Sequence, residues 1–242
     1  MALKLNPVYS NLCPVCGKYA EADALEALAS CRKCSLTSTS TATPNTLYQV
    51  LKAELEEFRE FFEKATGHRM WGGQEAWAQR LLSGENTVIV APTGMGKTTL
   101  LLTYTLYTAQ YGKRVLVVTP TKPLAQQIYS KLLEYASRLG LNPRILYYDS
   151  KIPKSKREAL INDIASSNYD ILVVTNQFLI RKLDVIDGSK LGLIVVDDVD
   201  SLLKSNRNVL RLLKLMGFSE ELVEKVKEKQ RVLWKLAVSR AL

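Results

Sequence analysis

The chain has 242 residues, 47% of them hydrophobic and 24% charged, which is ample for a packed core with an appendage and is not a disordered composition. Its 33 Lys+Arg against 24 Asp+Glu leave a formal charge of +9, which favours a polyanionic partner because each neutralised phosphate releases condensed counterions. No apolar run approaches the ~20 residues that span a bilayer, and Met1–Leu12 lacks the apolar stretch of a secretory leader, so the expected location is cytoplasmic, away from membranes.

In chain order, the first feature is Cys13, Cys16, Cys31 and Cys34, two Cys-x-x-Cys pairs separated by fourteen residues. Each pair can present two thiolates to one tetrahedral ion, and four protein ligands leave no open position, so the pattern predicts a structural Zn²⁺; a disulfide pair or redox use is the alternative. A Ser/Thr run, Ser35–Thr43, follows and reads as a linker. Thr46–Lys64 then places Leu47, Val50, Leu51, Leu55, Phe58 and Phe62 at spacings of three and four, an amphipathic helix stopped near Gly67.

From Gln74 onward strand-like and helical patterns alternate. Short β-branched runs fall at Thr87–Val90, Val115–Thr119, Arg144–Tyr148, Ile171–Thr175 and Leu193–Val196. Helical patterns lie between them at Lys97–Gln110, Pro123–Leu139 and Ser155–Ala165, with a shorter one near Phe178–Leu183. Gly112 and Gly140 stand where helix C-caps are expected. Strands that read as continuous apolar runs are buried on both faces, so the fold class is α/β, a mainly parallel sheet with helices on both faces. Ser201–Leu242 is helical, heavily charged, and ends without capping chemistry, which reads as a cut chain. The division expected is 1–43 for the zinc finger and linker, and 44–242 for the α/β domain with an N-terminal helix and a C-terminal helical extension.

The segment that defines the chemistry is Ala91-Pro92-Thr93-Gly94-Met95-Gly96-Lys97-Thr98, followed by Thr99. It follows a strand pattern and opens a helix, the context a phosphate-binding loop requires. The glycines let backbone N–H groups turn inward around a phosphate, and the helix adds the positive end of its dipole. Lys97 would reach the β- and γ-phosphates of ATP, and the Thr98 hydroxyl would coordinate Mg²⁺. The apolar run Leu191–Val196 later empties into Asp197-Asp198-Val199-Asp200, where a Walker-B aspartate belongs. Asp197 would hold the Mg²⁺, and Asp198 would orient and polarise the attacking water.

These two motifs together resemble those of the superfamily 2 helicases, whose second motif is typically Asp-Glu-x-Asp or Asp-Glu-x-His. The Asp in second place, with an N-terminal four-cysteine finger and Met70-Trp71-Gly72-Gly73-Gln74-Glu75-Ala76-Trp77-Ala78-Gln79-Arg80 ahead of the loop, looks like the reverse gyrases. The resemblance implies a RecA-like (P-loop NTPase) fold and DNA-dependent ATP hydrolysis in the service of a DNA topoisomerase. It makes Gln74 the adenine-reading residue and leaves Phe61 or Phe62 as a ring that could stack on the base, with packing in the helix core the more ordinary role for either. It also makes Thr119-Pro120-Thr121-Lys122-Pro123-Leu124 and Thr175-Asn176-Gln177-Phe178 contacts to the DNA backbone, with little sequence readout.

The resemblance further implies a second RecA-like domain, whose arginines complete the ATPase site, and a topoisomerase domain; this sequence contains neither. An arginine finger is worth roughly 10³–10⁵ in rate, and Asp198 is one methylene shorter than the glutamate of most relatives, so slow or absent turnover is expected of this chain alone. Two other readings remain open on the sequence: a piece of an ordinary DNA or RNA helicase, and a non-catalytic nucleic-acid-binding adaptor.

Overall fold

The computed structural model describes residues 8–9, 13, 18–21, 24, 31–37, 47–149, 152–204 and 206–239. They divide between two compact units, Met1–Glu60 with Met70–Ile89, and Phe61–Arg69 with Val90–Leu242.

In the first unit, β1 (Val8–Tyr9) pairs antiparallel with β2 (Ala20–Glu21), and α1 (Arg32–Thr37) follows. The long helix α2 (Leu47–Thr66) begins here and continues into the second unit. Its apolar residues recur every three or four positions, and Leu55, Phe58, Phe62 and Ala65 are all buried along one stripe. Gly67, at φ 78°, ends the helix in the left-handed conformation that glycine adopts at least cost. Helix α3 (Gly72–Leu82) buries Gln74, Ala78 and Leu81. Arg59 of α2 grips Glu75 of α3 with both arms of its guanidinium, Nε to Oε1 at 2.9 Å and Nη2 to Oε2 at 3.1 Å.

The second unit is an α/β layer structure. It contains α4 (Lys97–Gln110), β3 (Arg114–Thr119), α5 (Lys122–Leu139), β4 (Ile145–Tyr147), α6 (Lys154–Ala165), β5 (Ile171–Thr175), α7 (Asn176–Lys182), β6 (Leu191–Val196), α8 (Val199–Leu203), α9 (Asn206–Leu215) and α10 (Glu220–Ser239). Its four strands are all parallel, in the order β4-β5-β3-β6.

Side chains alternate strictly across this sheet. Val115, Val117, Ile171 and Val173 meet Leu102, Leu106, Ile128 and Leu132 of α4 and α5 in one core. Leu116, Val118, Leu172 and Val174 meet Ile164, Phe178, Leu179, Leu202 and Leu215 in a second core. Two apolar faces per strand explain why these runs show no polar alternation. Gly140 caps α5 in the αL conformation, as its position predicts, and Gly112 adopts a positive φ just past α4.

One strand expectation fails. Residues 87–90 form no strand, and Val88 and Val90 are 72% and 90% exposed. A β-branched run becomes a strand only where an edge accepts its backbone groups, and no described strand pairs with this one.

Candidate nucleotide site

Residues 91–98 form a loop with Gly94 at φ 83° and Gly96 at φ 73°. Gly96 is the N-cap of α4, and its carbonyl accepts the first helical bond from Leu100 N at 3.0 Å. Two left-handed residues one apart turn the chain sharply, so any side chain at either would be strained. The N–H groups of the first helical turn have no intrahelical acceptor, and they carry the positive end of a fourteen-residue helix. Lys97 donates from Nζ to the carbonyls of Ala91 and Pro92, the latter at 2.7 Å, so its ammonium lies across the mouth of its own loop. Pro92, Thr93, Gly94 and Met95 are exposed, while Lys97, Thr98 and Thr99 are half-buried.

The acidic motif reaches this loop from β6. Asp197 N donates to Val118 O at 3.0 Å, extending the β3–β6 ladder by one rung. The Asp197 carboxyl is near enough to feel the Lys97 charge and the Thr98 hydroxyl. Burial pushes its carboxyl above the ordinary aspartate range. The Asp198 N–H, the Lys97 charge and the Thr98 hydroxyl pull it back, while the Asp198 charge adds to the rise. Two motifs about 100 residues apart thus converge on one carboxylate.

Asp198 follows in the αL conformation, φ 55° and ψ 62°, and opens the short helix α8. A non-glycine residue there carries about 1–2 kcal/mol of backbone strain, and aspartate is among the side chains that tolerate it. The turn redirects the chain within one residue at the end of β6.

The parallel register lines up the other motifs on the same edge. Thr119 ends β3 opposite Thr175 at the end of β5, with Asp197 one strand over. Thr119 is fully buried, its hydroxyl donating to Thr121 O at 3.2 Å and Val174 O at 3.4 Å. Thr121 caps α5, accepting from Leu124 N at 3.5 Å, and Lys122 pairs with Asp149 at 3.2 Å. Asn176 Oδ1 is buried with no hydrogen-bond partner. Phe178 is buried, its ring 4.5 Å from that of Tyr148.

Gln74 is 5% exposed, and its Oε1 accepts from Trp71 N at 3.3 Å across the first turn of α3. Phe62 is buried, and Phe61 is half-buried and sits edge-on to Tyr107 at 5.3 Å, so both rings pack within the fold. Trp71, three residues before Gln74, is 43% exposed and edge-on to Trp77 at 5.6 Å. It lies over Gly73, where a Cβ would come within 2.2 Å of the indole.

Among the described cysteines, the Sγ atoms of Cys13, Cys31 and Cys34 lie within 4.8 Å of one another, with Cys13 and Cys31 buried. Cys31 N donates to Cys13 Sγ at 3.4 Å. Three converging sulfurs in a partly buried pocket fit a soft, tetrahedral metal ion. Cys16 lies outside the described residues.

The fold and the converging motifs define a helicase-like, ATP-binding module. Residues 71–234 match the DEAD/DEAH box helicase family, and the chain belongs to it. Within that class its relatives are reverse gyrases. Reverse gyrase 2 of Aeropyrum pernix is 39% identical over 237 residues, spanning 91% of this chain and 19% of that protein. The reverse gyrase of Pyrobaculum aerophilum is 35% identical, over 88% of this chain and 19% of its own length. This chain therefore matches about a fifth of each. A hypothetical ATP-dependent RNA helicase from Sulfolobus tokodaii shares the fold at TM-score 0.52 and 22% identity, over 72% of this chain and 54% of that one. The DUF1998 helicase MrfA does so at TM-score 0.54 and 23% identity, over 66% and 26%. No helix among the described residues is long and apolar enough to cross a membrane.

Proposed function

We propose that the chain binds ATP–Mg²⁺ at residues 91–99 and acts as the first motor half of a DNA-dependent ATPase within a reverse-gyrase-like, positively supercoiling topoisomerase. The observation that carries this reading is that Asp197, one residue past β6, lies near enough to the loop for the Lys97 charge and the Thr98 hydroxyl to act on its carboxyl. Backbone N–H groups from Gly94 to Thr99 would donate to the β-phosphate. Lys97 would leave the Ala91 and Pro92 carbonyls for the β- and γ-phosphates. Thr98 and Asp197 would hold the magnesium, directly or through water, and the ion would supply charge neutralisation for phosphoryl transfer. Asp198 would accept the proton of the attacking water. Gln74 would read adenine through its carboxamide, and Cys13, Cys16, Cys31 and Cys34 would hold Zn²⁺, one ion per chain by metal analysis.

The partners are DNA, held by its backbone along the edge from Thr119 to Lys122 and from Thr175 to Asn176, and a second RecA-like domain with a topoisomerase domain. Titration with a fluorescent ATP analogue and Mg²⁺ tests the nucleotide site. Lys97→Ala should weaken binding about tenfold or more, because it removes a charge-assisted contact to phosphate; equal affinity would instead favour a non-catalytic adaptor. Steady-state ATPase measurements with and without DNA test the need for the second domain. Fast DNA-stimulated turnover by this chain alone would sink that part.

A further inference from the structure

One hollow of the second unit has no role in the nucleotide site. It has a volume of about 240 Å³ and opens between α7, the 3₁₀ turn Leu183–Val185, α9 and the start of α10. At ~30 Å³ per water it holds about eight, room for a phosphate with part of its sugar. Three cations line it, Arg181, Arg211 and Lys214, against two carboxylates, Asp184 and Glu220. None of the five forms an ion pair with any described residue.

Arg181 and Lys214 stand in the last turns of α7 and α9, where the helix dipole is reason enough for a cation. Arg211 has no such reason. It is in the body of α9, half-buried, and forms no ion pair with a described residue. Its planar fork of donors matches phosphate oxygens. Apolar Ile180 and Leu210 complete the walls, a surface suited to sugar rather than to a bare ion.

The place in the fold selects among anions. Helix α7 starts at Asn176, on the sheet edge already assigned to the DNA backbone, and Arg181 is five residues further along. At ~1.5 Å per residue that is about 8 Å, within the reach of neighbouring phosphates along one strand. We propose that this hollow is a phosphodiester subsite, in which Arg211, Lys214 and Arg181 hold the backbone of the same nucleic-acid strand that crosses the ends of β3 and β5. The proposal rests on the nucleic-acid reading above and extends its track to the far end of α7. Asp184 on the rim sets an upper limit on affinity, so the site grips backbone without trapping it.

The test is fluorescence anisotropy of the full chain with labelled single-stranded and hairpin DNA across a salt series, with inorganic phosphate as competitor. Arg211→Gln/Lys214→Gln should weaken binding equally for unrelated sequences and make the log–log salt slope shallower by about 1.4 on single strands, two contacts' worth of counterions. Asp184→Asn should tighten binding about threefold, since it removes a repelling charge from the rim. Unchanged slopes in the double variant and unchanged affinity in Asp184→Asn overturn the subsite, as does phosphate competing for the hollow while DNA does not. If the double variant loses its circular dichroism signal, Arg181→Gln replaces it, with half the slope change expected. No DNA binding by the wild-type chain would instead sink the broader nucleic-acid reading.

Discussion

Strands β5 and β6 are almost interchangeable as sequences, Ile-Leu-Val-Val-Thr against Leu-Gly-Leu-Ile-Val-Val, and both deliver a motif to the same edge. In the structure they differ. All five residues of β5 are buried, whereas only Val195 of β6 is. The cause is position: β5 lies between β4 and β3, while β6 has a described neighbour on one side only. An apolar run predicts membership of a sheet but not a place within it. The metal-binding carboxylate we propose is thus carried on the less secured of the two strands, held by its ladder to β3.

The sharpest way to break this comparison is by truncation. Leu172→Ala should cost about 2–5 kcal/mol, as a fully buried leucine in a core that cannot collapse around the gap. Ile194→Ala, half-exposed, should cost less than about half of that. Urea unfolding of both variants decides the matter, and equal losses would mean that β6 is as enclosed as β5.

A smaller effect sharpens the comparison at Asp197. Its carboxyl is raised chiefly by burial, so the folded chain holds the proton more tightly than the unfolded chain does. Below the ordinary aspartate value both states are protonated and nothing is lost; as pH rises through the raised value, ionisation in the fold reduces stability. Asp197→Asn should therefore raise the melting temperature at neutral pH, with the gain vanishing in acid, while Mg²⁺ no longer strengthens nucleotide binding. A pH-independent difference would refute the assignment of burial as cause.

The smallest expected effect concerns Asp198. Alanine there keeps the left-handed strain and glycine relieves it, so Asp198→Gly should be about 1 kcal/mol more stable than Asp198→Ala by thermal melting. Equal stabilities would show that α8 shifts to relax the turn.

What the sequence made legible is what local chemistry determines. The glycines and Lys97 announce the loop because only that spacing bends a backbone around a phosphate. The runs at 115–119 and 171–175 announce a doubly covered sheet because no polar residue interrupts them. Residues 87–90 have the same β-branched texture yet form no strand, since pairing is a property of the neighbour and not of the run. Phe62 has the look of an available ring, but the stripe from Leu55 to Ala65 draws it into the core. The hollow at Arg211 and the Lys122–Asp149 pair join residues more than twenty positions apart, and no periodicity reports them.

The outer side of β6 has a consequence for handling the protein. Along it run N–H and C=O groups that no described strand satisfies, and Val88 and Val90 are exposed. Such an edge is a template on which another copy can zip. The +9 charge opposes that encounter, and its reach shrinks from about 30 Å at 0.01 M salt to about 10 Å at 0.1 M. Dilute buffers should thus keep the chain dispersed, and added salt should let it clump, the reverse of the usual advice for a basic protein.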